Sequence, residues 1–594
     1  MALVYRVTTN FCPLLSTFYC KCTVNITRFK SKKRLNESSK KINAPKSKTE
    51  NFAGGSFHDI LHFRQTEARK SILVQLDADS SVAECKRYCE KYGMIAKIFH
   101  YMSRLDYQNF VLVEFESNFS IEEIKRTVAH MSNFDYIPIH TTLLWYRDKL
   151  HLNKSGNNKQ RVQPTNEILR SSILSPSFNL IKENLHPLNS VAEQVHMLHS
   201  MLSFTDLDVR LRFYTANQLE LCFSSLFPTI SVVPFGSSVN GFGLVGCDLD
   251  LVCRLNNKKA KTDDTMHKLV FQSKPYAAYE RQDQREFLSI LAHIMHKYIP
   301  GISNVNKILQ ARVPIIKFTN KCTSIHCDLS STQMVALYMS EVLYIYGEID
   351  SRVKPLVCTI RKWAKCHYIT TDTAGQWITN FSLTLLIIFY FQLKGILPSL
   401  NKLGEYARYS SSNGTFDDEF IACVKRMQTQ TGKNIESMHA LLYGFFAYYA
   451  TFDFAARMIC IREGRTKLKR DNSPLHILNP FEPTLNVSKN VTATEIVKIK
   501  AHVRNALLTL ERDGPQTIAT LLGLIRMKQS SKPALKSYDL TNVSAKDVSK
   551  PVKNAEEENG DSGTESVHSE IVKDEFLTDE NSFDDSDKLK EIIK

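Results

Sequence analysis

Val233-Pro234-Phe235-Gly236-Ser237-Ser238-Val239-Asn240-Gly241-Phe242-Gly243-Leu244-Val245-Gly246-Cys247-Asp248-Leu249-Asp250-Leu251-Val252 is the stretch that decides how this chain is read. An apolar run, Ile230 to Pro234, enters a Gly-Ser turn. Gly236 permits close approach of the backbone, and Ser237 offers a hydroxyl and an N–H to a phosphate. After a spacer of ten residues, Asp248 and Asp250 stand two apart in an apolar strand and so share a face. Two carboxylates on one face repel unless a cation lies between them, and hard oxygen ligands of this kind suit Mg²⁺ or Mn²⁺.

A third carboxylate is supplied downstream. Ile325-His326-Cys327-Asp328-Leu329 follows the strand-like Val313-Pro314-Ile315-Ile316-Lys317-Phe318. If the strands are adjacent, Asp328 lies opposite the Asp248/Asp250 pair. Three carboxylates around two metal ions about 3.5–4 Å apart are the apparatus of in-line nucleotidyl transfer. A lone Asp-x-Asp is a weak signal; Gly-Ser, spacer, Asp-x-Asp and a distant Asp in an apolar frame make a much stronger one.

The stretch after residue 336 reads as mostly helical. Arg361 and Lys365 lie four apart and share a helix face, where a triphosphate would offset their repulsion; the rival reading is two solvated surface cations. Trp377-Ile378-Thr379-Asn380-Phe381-Ser382-Leu383 opens an apolar helix, with Asn380 as the expected N-cap and free N–H groups at its start for phosphate. Phe381 either stacks on a base or packs in the core.

The Gly-Ser turn and the three aspartates resemble the DNA polymerase β-like nucleotidyltransferase superfamily. The helical segments, with Leu475-His476-Ile477-Leu478-Asn479-Pro480-Phe481 and Asn486-Val487-Ser488-Lys489-Asn490-Val491, resemble its poly(A) and terminal uridylyl polymerase family. Asp350-Ser351-Arg352-Val353 and Leu478-Asn479-Pro480-Phe481-Glu482 are most similar to the mitochondrial branch. The resemblance spans roughly residues 65–525. It implies that Asp248, Asp250 and Asp328 are catalytic and hold the metals, and that Gly236 and Ser237 cradle the triphosphate. It implies that Arg361 and Lys365 pair on the triphosphate. Asn380 falls where many members have a phosphate-contacting Ser, and Phe381 where they have a base-stacking Tyr. Met339-Ser340 stands where relatives often place an Asn near the ribose, and Asn479 replaces the usual Asp before Pro-Phe. The implied activity is template-independent addition of AMP from ATP to RNA 3′ ends, with two Mg²⁺ or Mn²⁺ ions. The alternatives are terminal uridylyl transfer and an inactive RNA-binding adaptor. A homodimer through an RRM-like module ahead of the catalytic core is also implied.

The rest of the chain fits an α+β, multidomain protein. Residues 66–147 alternate as βαββαβ, with strands expected at Ser71–Leu76, Ile95–Tyr101, Asn109–Glu116 and Tyr136–Trp145 and helices at Val82–Tyr92 and Ile121–Met131. This order resembles an RRM, although Asn109–Phe115 lacks a glycine and a second aromatic; a ferredoxin-like module used for docking or dimerisation is the alternative. A polymerase β-like palm with a mixed sheet is expected over 185–335, together with its preceding helices, and a helical central domain over 336–526. Residues 35–65 and 151–180 read as polar linkers. No apolar run reaches the roughly 18 residues of a membrane span; Phe381–Leu393 reads as a buried helix.

Of 594 residues, 43% are hydrophobic and 23% charged, which excludes a fibrous or wholly disordered chain. Fourteen cysteines without framework spacing favour a reducing compartment. The net charge is +15, but residues 555–594 carry fourteen acids and four lysines, which leaves +25 on the rest. That excess favours a polyanion, nucleic acid first. Residues 530–594 are expected to be a disordered acidic tail. Arg6, Lys21, Arg28, Lys30, Lys32, Lys33 and Arg34 precede the first acid, Glu37. A basic, hydroxyl-rich leader over 1–45 is expected to be a transit peptide to the mitochondrial matrix; the alternative is a basic arm that binds RNA or serves as a nuclear signal.

Overall fold

The computed structural model describes residues 56–131, 137–147, 169–170, 175–255, 269, 271–272, 274, 280–331, 334–371, 373, 375–404, 434–512 and 517–525. The expected leader, most of the second linker and the acidic tail lie outside the described residues.

The first linker does not extend to residue 65, because α1 (Phe57–Arg69) begins inside it. Ser56 Oγ accepts from the Asp59 N–H at 3.2 Å, and the Asp59 carboxylate accepts from the Ser56 N–H at 3.1 Å. This reciprocal box satisfies two donors that a helix start would otherwise leave open.

The elements β1 (Ser71–Leu76), α2 (Val82–Cys89), β2 (Ile95–Met102), β3 (Asn109–Phe115), α3 (Asn118–Thr127) and β4 (Leu143–Tyr146) follow in the expected order. Helix α3 starts and stops earlier than its apolar spacing suggests, because Ser117 caps it by accepting from the Phe119 N–H. The sheet runs β4-β1-β3-β2, extended past β2 by β5 (Leu169–Arg170). Strand β4 runs parallel to β1, and β1 antiparallel to β3. A right-handed β3-α3-β4 crossover would have set β4 parallel to β3, so the last strand enters from the opposite end.

Strand β3 is buried on both faces rather than alternating. One face, with Ile72, Val74, Val111 and Val113, packs on α2 and α3. The other, with Leu73, Phe99, Tyr101, Phe110 and Leu112, packs on Leu211 and Tyr214 of α6 (Asp206–Phe223). The Tyr101 hydroxyl donates to the Cys322 carbonyl at 3.0 Å. The aromatic face that could have stacked bases is thus covered by protein.

Helix α6 therefore lies between two sheets, which is why it shows no single apolar stripe. The second sheet has the order β6 (Ile230–Phe235), β7 (Leu249–Leu255), β10 (Ile325–Ser331), β9 (Ile315–Asn320), β8 (Ile302–Ile308), and α7 (Arg281–Tyr298) packs on it. Only β7 and β10 are parallel neighbours, so the sheet is mixed.

The helical body contains α8 (Met334–Ile349), α9 (Val353–Cys366), α10 (Asn380–Leu393), α11 (Met438–Thr451), α12 (Ala493–Leu510), α13 (Thr517–Leu521) and a hairpin of β11 (Arg457–Cys460) and β12 (Arg465–Leu468). Helices α4 (Phe178–Leu185) and α5 (Val191–Leu202) precede the second sheet in sequence, yet their Ile181, Leu185, Val195 and Leu198 are buried in this helical core. Eleven of the fourteen residues of α10 are buried. Among the described residues no helix is long and apolar enough to cross a membrane.

A buried ion cluster joins the first module to α6. The Arg210 guanidinium, 3% exposed, donates to Asp206 on its own helix (2.8 Å), to Glu67 of α1 (2.5 Å) and to Glu114 of β3 (2.6 Å). Arg64 adds contacts to Asp206 (2.7 Å) and Glu67 (2.8 Å).

Candidate active site

The site begins where β6 ends. Gly236 turns the chain with φ +67°, and a Cβ there would sit 2.9 Å from Asp250 Oδ2. A side chain would strain the backbone and crowd that carboxylate at once. The Gly236 N–H donates to Ser340 Oγ of α8 at 2.7 Å, so this turn is fixed by a buried hydroxyl. Ser237 Oγ lies 3.3 Å from Cys247 Sγ across the loop.

Strand β7 begins at Leu249, one residue after Asp248. Leu249 and Leu251 enter the core below, and alternation sends Asp250 to the opposite face. The same alternation in β10 buries Cys327 and Leu329 and turns out Asp328. Asp250 and Asp328 are direct register partners across the parallel pair. Burial first, then the charges of Asp328 and Asp248, push the Asp250 carboxyl up to about 7. Asp250 is thus within reach of the charges of both other predicted acids. Lys317 of β9 lies in register with Asp328, its ammonium 3.0 Å from Oδ2.

Among the described residues no three carboxylate, imidazole or thiolate groups close around one point as a finished cage. A cage is not what Mg²⁺ requires: it keeps waters and takes one or two carboxylates plus substrate phosphates. A crowded all-oxygen set whose central carboxyl resists ionisation fits such a divalent ion.

Arg212, buried in α6, has no counterpart in the sequence reading. Its guanidinium donates to Ser238 Oγ (2.9 Å), the Asp248 carbonyl (3.1 Å) and the Cys247 carbonyl (2.6 Å), and stacks over Phe204 with its carbon 4.2 Å from the ring centroid. It ties both ends of the Gly-Ser to Asp-x-Asp loop to one helix. No local pattern marks such a residue; only the packing of α6 under the loop does. Arg212→Ala is expected to lower kcat by about 10- to 100-fold, the usual loss when support behind ligands is removed. Arg212→Lys should not restore it, because one ammonium cannot reproduce a planar fork on three acceptors. Steady-state kinetics on the two variants checks both statements.

The remaining predicted residues divide. Arg361 is buried, and its guanidinium donates to the Phe242 carbonyl at 2.6 Å; burial lowers its pKa. It fixes the loop from inside. Lys365, one turn on, is exposed. The cap of α10 is Thr379, whose Oγ1 accepts from the Ser382 N–H at 3.1 Å, so Asn380 is the first helical residue and not the cap. Phe381 is 37% exposed on a helix that is otherwise nearly all buried, which favours a stacking role over core filling. Phe381→Ala is expected to raise the KM for ATP about ten-fold, with Phe381→Tyr near wild type, from the usual cost of a lost base stack; initial rates against ATP concentration read this out. Asn479 Oδ1 accepts from the N–H groups of Phe481 (2.9 Å) and Glu482 (3.2 Å), shaping a turn that an Asp would shape equally well.

This arrangement matches known proteins. Residues 191–348 match the family described as poly(A) RNA polymerase, mitochondrial-like, central palm domain, and residues 438–485 match the Cid1 family poly A polymerase. The mitochondrial poly(A) RNA polymerase of Drosophila melanogaster is 33% identical over 476 residues, covering 77% of this chain and 76% of the relative. The Homo sapiens protein of that description is 32% identical over 502 residues, covering 81% and 82%. The crystal structure of mtPAP in complex with ATPγS superimposes with a TM-score of 0.69 at 29% identity, covering 79% of this chain and 99% of that one. Similarity of this extent, running through the palm and the helical body alike, makes the chain a member of the mitochondrial poly(A) RNA polymerase family.

Proposed function

We infer that this protein is a mitochondrial RNA 3′-end adenylyltransferase, adding AMP from ATP without a template. Family membership supports the activity and the compartment. The observation that carries the chemistry is the register pairing of Asp250 with Asp328 on adjacent parallel strands, two residues from Asp248. These three are the proposed catalytic carboxylates and the holders of two Mg²⁺ or Mn²⁺ ions. Such ions, when bound, make the attacking 3′-hydroxyl acidic and offset charge on the departing pyrophosphate.

The other steps fall to the chain itself. The Gly236–Ser237 turn and Lys365 form the proposed triphosphate cradle. Arg361 holds that cradle in shape through the Phe242 carbonyl. Asn380, in the first turn of α10, is the proposed further phosphate contact. Phe381 is the proposed stacking partner of the base, and Asn479 a further proposed nucleotide contact. The proposed domains are an RRM-like module over 66–147, a palm over 185–335 and a helical domain over 336–526; the leader over 1–45 and the acidic tail over 530–594 lie outside the described residues. The module keeps the RRM element order but docks its sheet on the palm helix. Its outer surface, where Met94, Tyr107 and Phe119 are exposed, is the proposed homodimer contact.

The deciding experiment is primer extension with each of the four nucleotides separately. ATP-selective tailing supports the assignment. UTP-selective tailing replaces it with terminal uridylyl transfer, and no extension by a folded, metal-supplied protein leaves an RNA-binding adaptor. A solution mass equal to one protomer removes the dimer.

A further inference from the structure

Lys317 was not among the residues the chemistry demanded, yet it is built into the site. Ile316 and Phe318 on either side of it are buried in the core below the sheet. Alternation therefore brings Lys317 out on the face that carries Asp250 and Asp328. Its ammonium lies 3.0 Å from Asp328 Oδ2, with the lysine side chain 47% and the aspartate side chain 23% exposed. Its charge also reaches Asp250. A cation thus already sits against the acid that a divalent ion would use.

The order of strands fixes which side of the site this is. The Gly236–Ser237 turn follows β6, while Lys317 stands on β9, three strands away in the order β6-β7-β10-β9. At about 4.8 Å per strand, roughly 14 Å separates them, with the carboxylates between. In-line displacement puts the attacking and leaving oxygens on opposite sides of the reacting phosphorus. If the Gly-Ser turn holds the triphosphate, Lys317 is on the side of the attacking RNA end.

We propose that Lys317 is a positioning residue with two alternating partners: Asp328 in the metal-free protein, and the last internucleotide phosphate before the 3′-hydroxyl of the RNA primer once a divalent ion has taken Asp328. The inference rests on the nucleotidyltransferase reading above. Before loading, the ammonium keeps Asp328 oriented and partly neutralises the crowded acids. On loading, like charge expels it from the carboxylate, and its flexible stem lets it turn to the backbone of the primer.

Full-length Lys317→Met and Lys317→Arg test this in two arms. The first is Mn²⁺ binding without ATP or RNA, followed by electron paramagnetic resonance. Removing a partly exposed competitor should tighten Mn²⁺ about five-fold in Lys317→Met. The second is steady-state kinetics. Lys317→Met should raise the KM for primer about ten-fold with the KM for ATP unchanged, and Lys317→Arg, which keeps a cation, should restore the primer KM. Unchanged or weaker Mn²⁺ binding by a variant with a wild-type melting profile overturns the proposal, as does a rise confined to the KM for ATP. Failure of the underlying reading shows separately, as wild-type protein that binds Mn²⁺ yet extends no primer.

Discussion

Asp250→Asn is expected to abolish tailing, by about a thousand-fold or more, while leaving the metal-free protein at least as stable as wild type. Both halves follow from one geometry. Asp250 is the middle acid, paired in register with Asp328 and two residues from Asp248. A group that holds a divalent ion beside the reacting phosphate supplies several kcal/mol of transition-state stabilisation, and each ~1.4 kcal/mol is ten-fold in rate. In the absence of metal the same group is a liability, because burial and two like charges oppose its ionisation. An amide of the same shape removes that repulsion without opening a cavity. The checks are primer extension, and melting with and without Mn²⁺. Wild type should gain stability on adding the ion, and the variant should gain much less. A variant that still tails RNA removes Asp250 from the chemistry.

Arg210→Ala should have the largest effect on stability, about 3–5 kcal/mol, the usual cost of removing one partner from a buried ionic cluster. Three carboxylates, Glu67, Glu114 and Asp206, would be left facing each other without their shared guanidinium. Glu67 lies on α1, Glu114 on β3 and Asp206 on α6, so the damage falls on the seam between the first module and the palm. Hydrogen exchange should show β3 opening before the helical core. Adding Glu67→Gln and Glu114→Gln should recover part of the loss, since the buried charges go with it. Acid gives a second view. Burial opposes ionisation of Asp206, but hydrogen bonds and charge from Arg210 and Arg64 win and hold its carboxyl at about 2. Its contribution is therefore present above the ordinary aspartate range near 4 and fades as pH falls toward 2. In Arg210→Ala that part of the acid transition should move upward.

The placement of the Gly-Ser turn and the acid pair was legible because their spacing is local. Gly236, Asp248 and Asp250 lie within fifteen residues, and a period of two places the acids. Asp328 needed only the assumption that two apolar strands are neighbours, and β7 and β10 are. Other features were not written locally. Asn380 looked like a cap because Asn caps well, but Thr379 one residue earlier has the right extended geometry and takes that place. Arg361 looked like half of a triphosphate-facing pair with Lys365 because helical spacing shows which residues share a face, not what lies against it; the Phe242 carbonyl lies against Arg361. The covering of the Tyr101 and Phe110 face depends on where the palm helix packs, and that contact joins residues more than a hundred positions apart. Arg210, Arg212 and Lys317 share this character: each is an ordinary basic residue until distant strands and loops close around it.

The place of α4 and α5 has a consequence for how the polypeptide is made. Their apolar sides are completed by helices that begin only at Met334 and continue to Leu521. A chain emerging from its N-terminus exposes those sides throughout synthesis of the whole palm. Contacts of such long sequence separation form slowly, and greasy surface left open meanwhile invites aggregation. The nascent protein should therefore depend on a holdase until its last hundred residues arrive, and truncations ending before α11 should be insoluble rather than merely inactive.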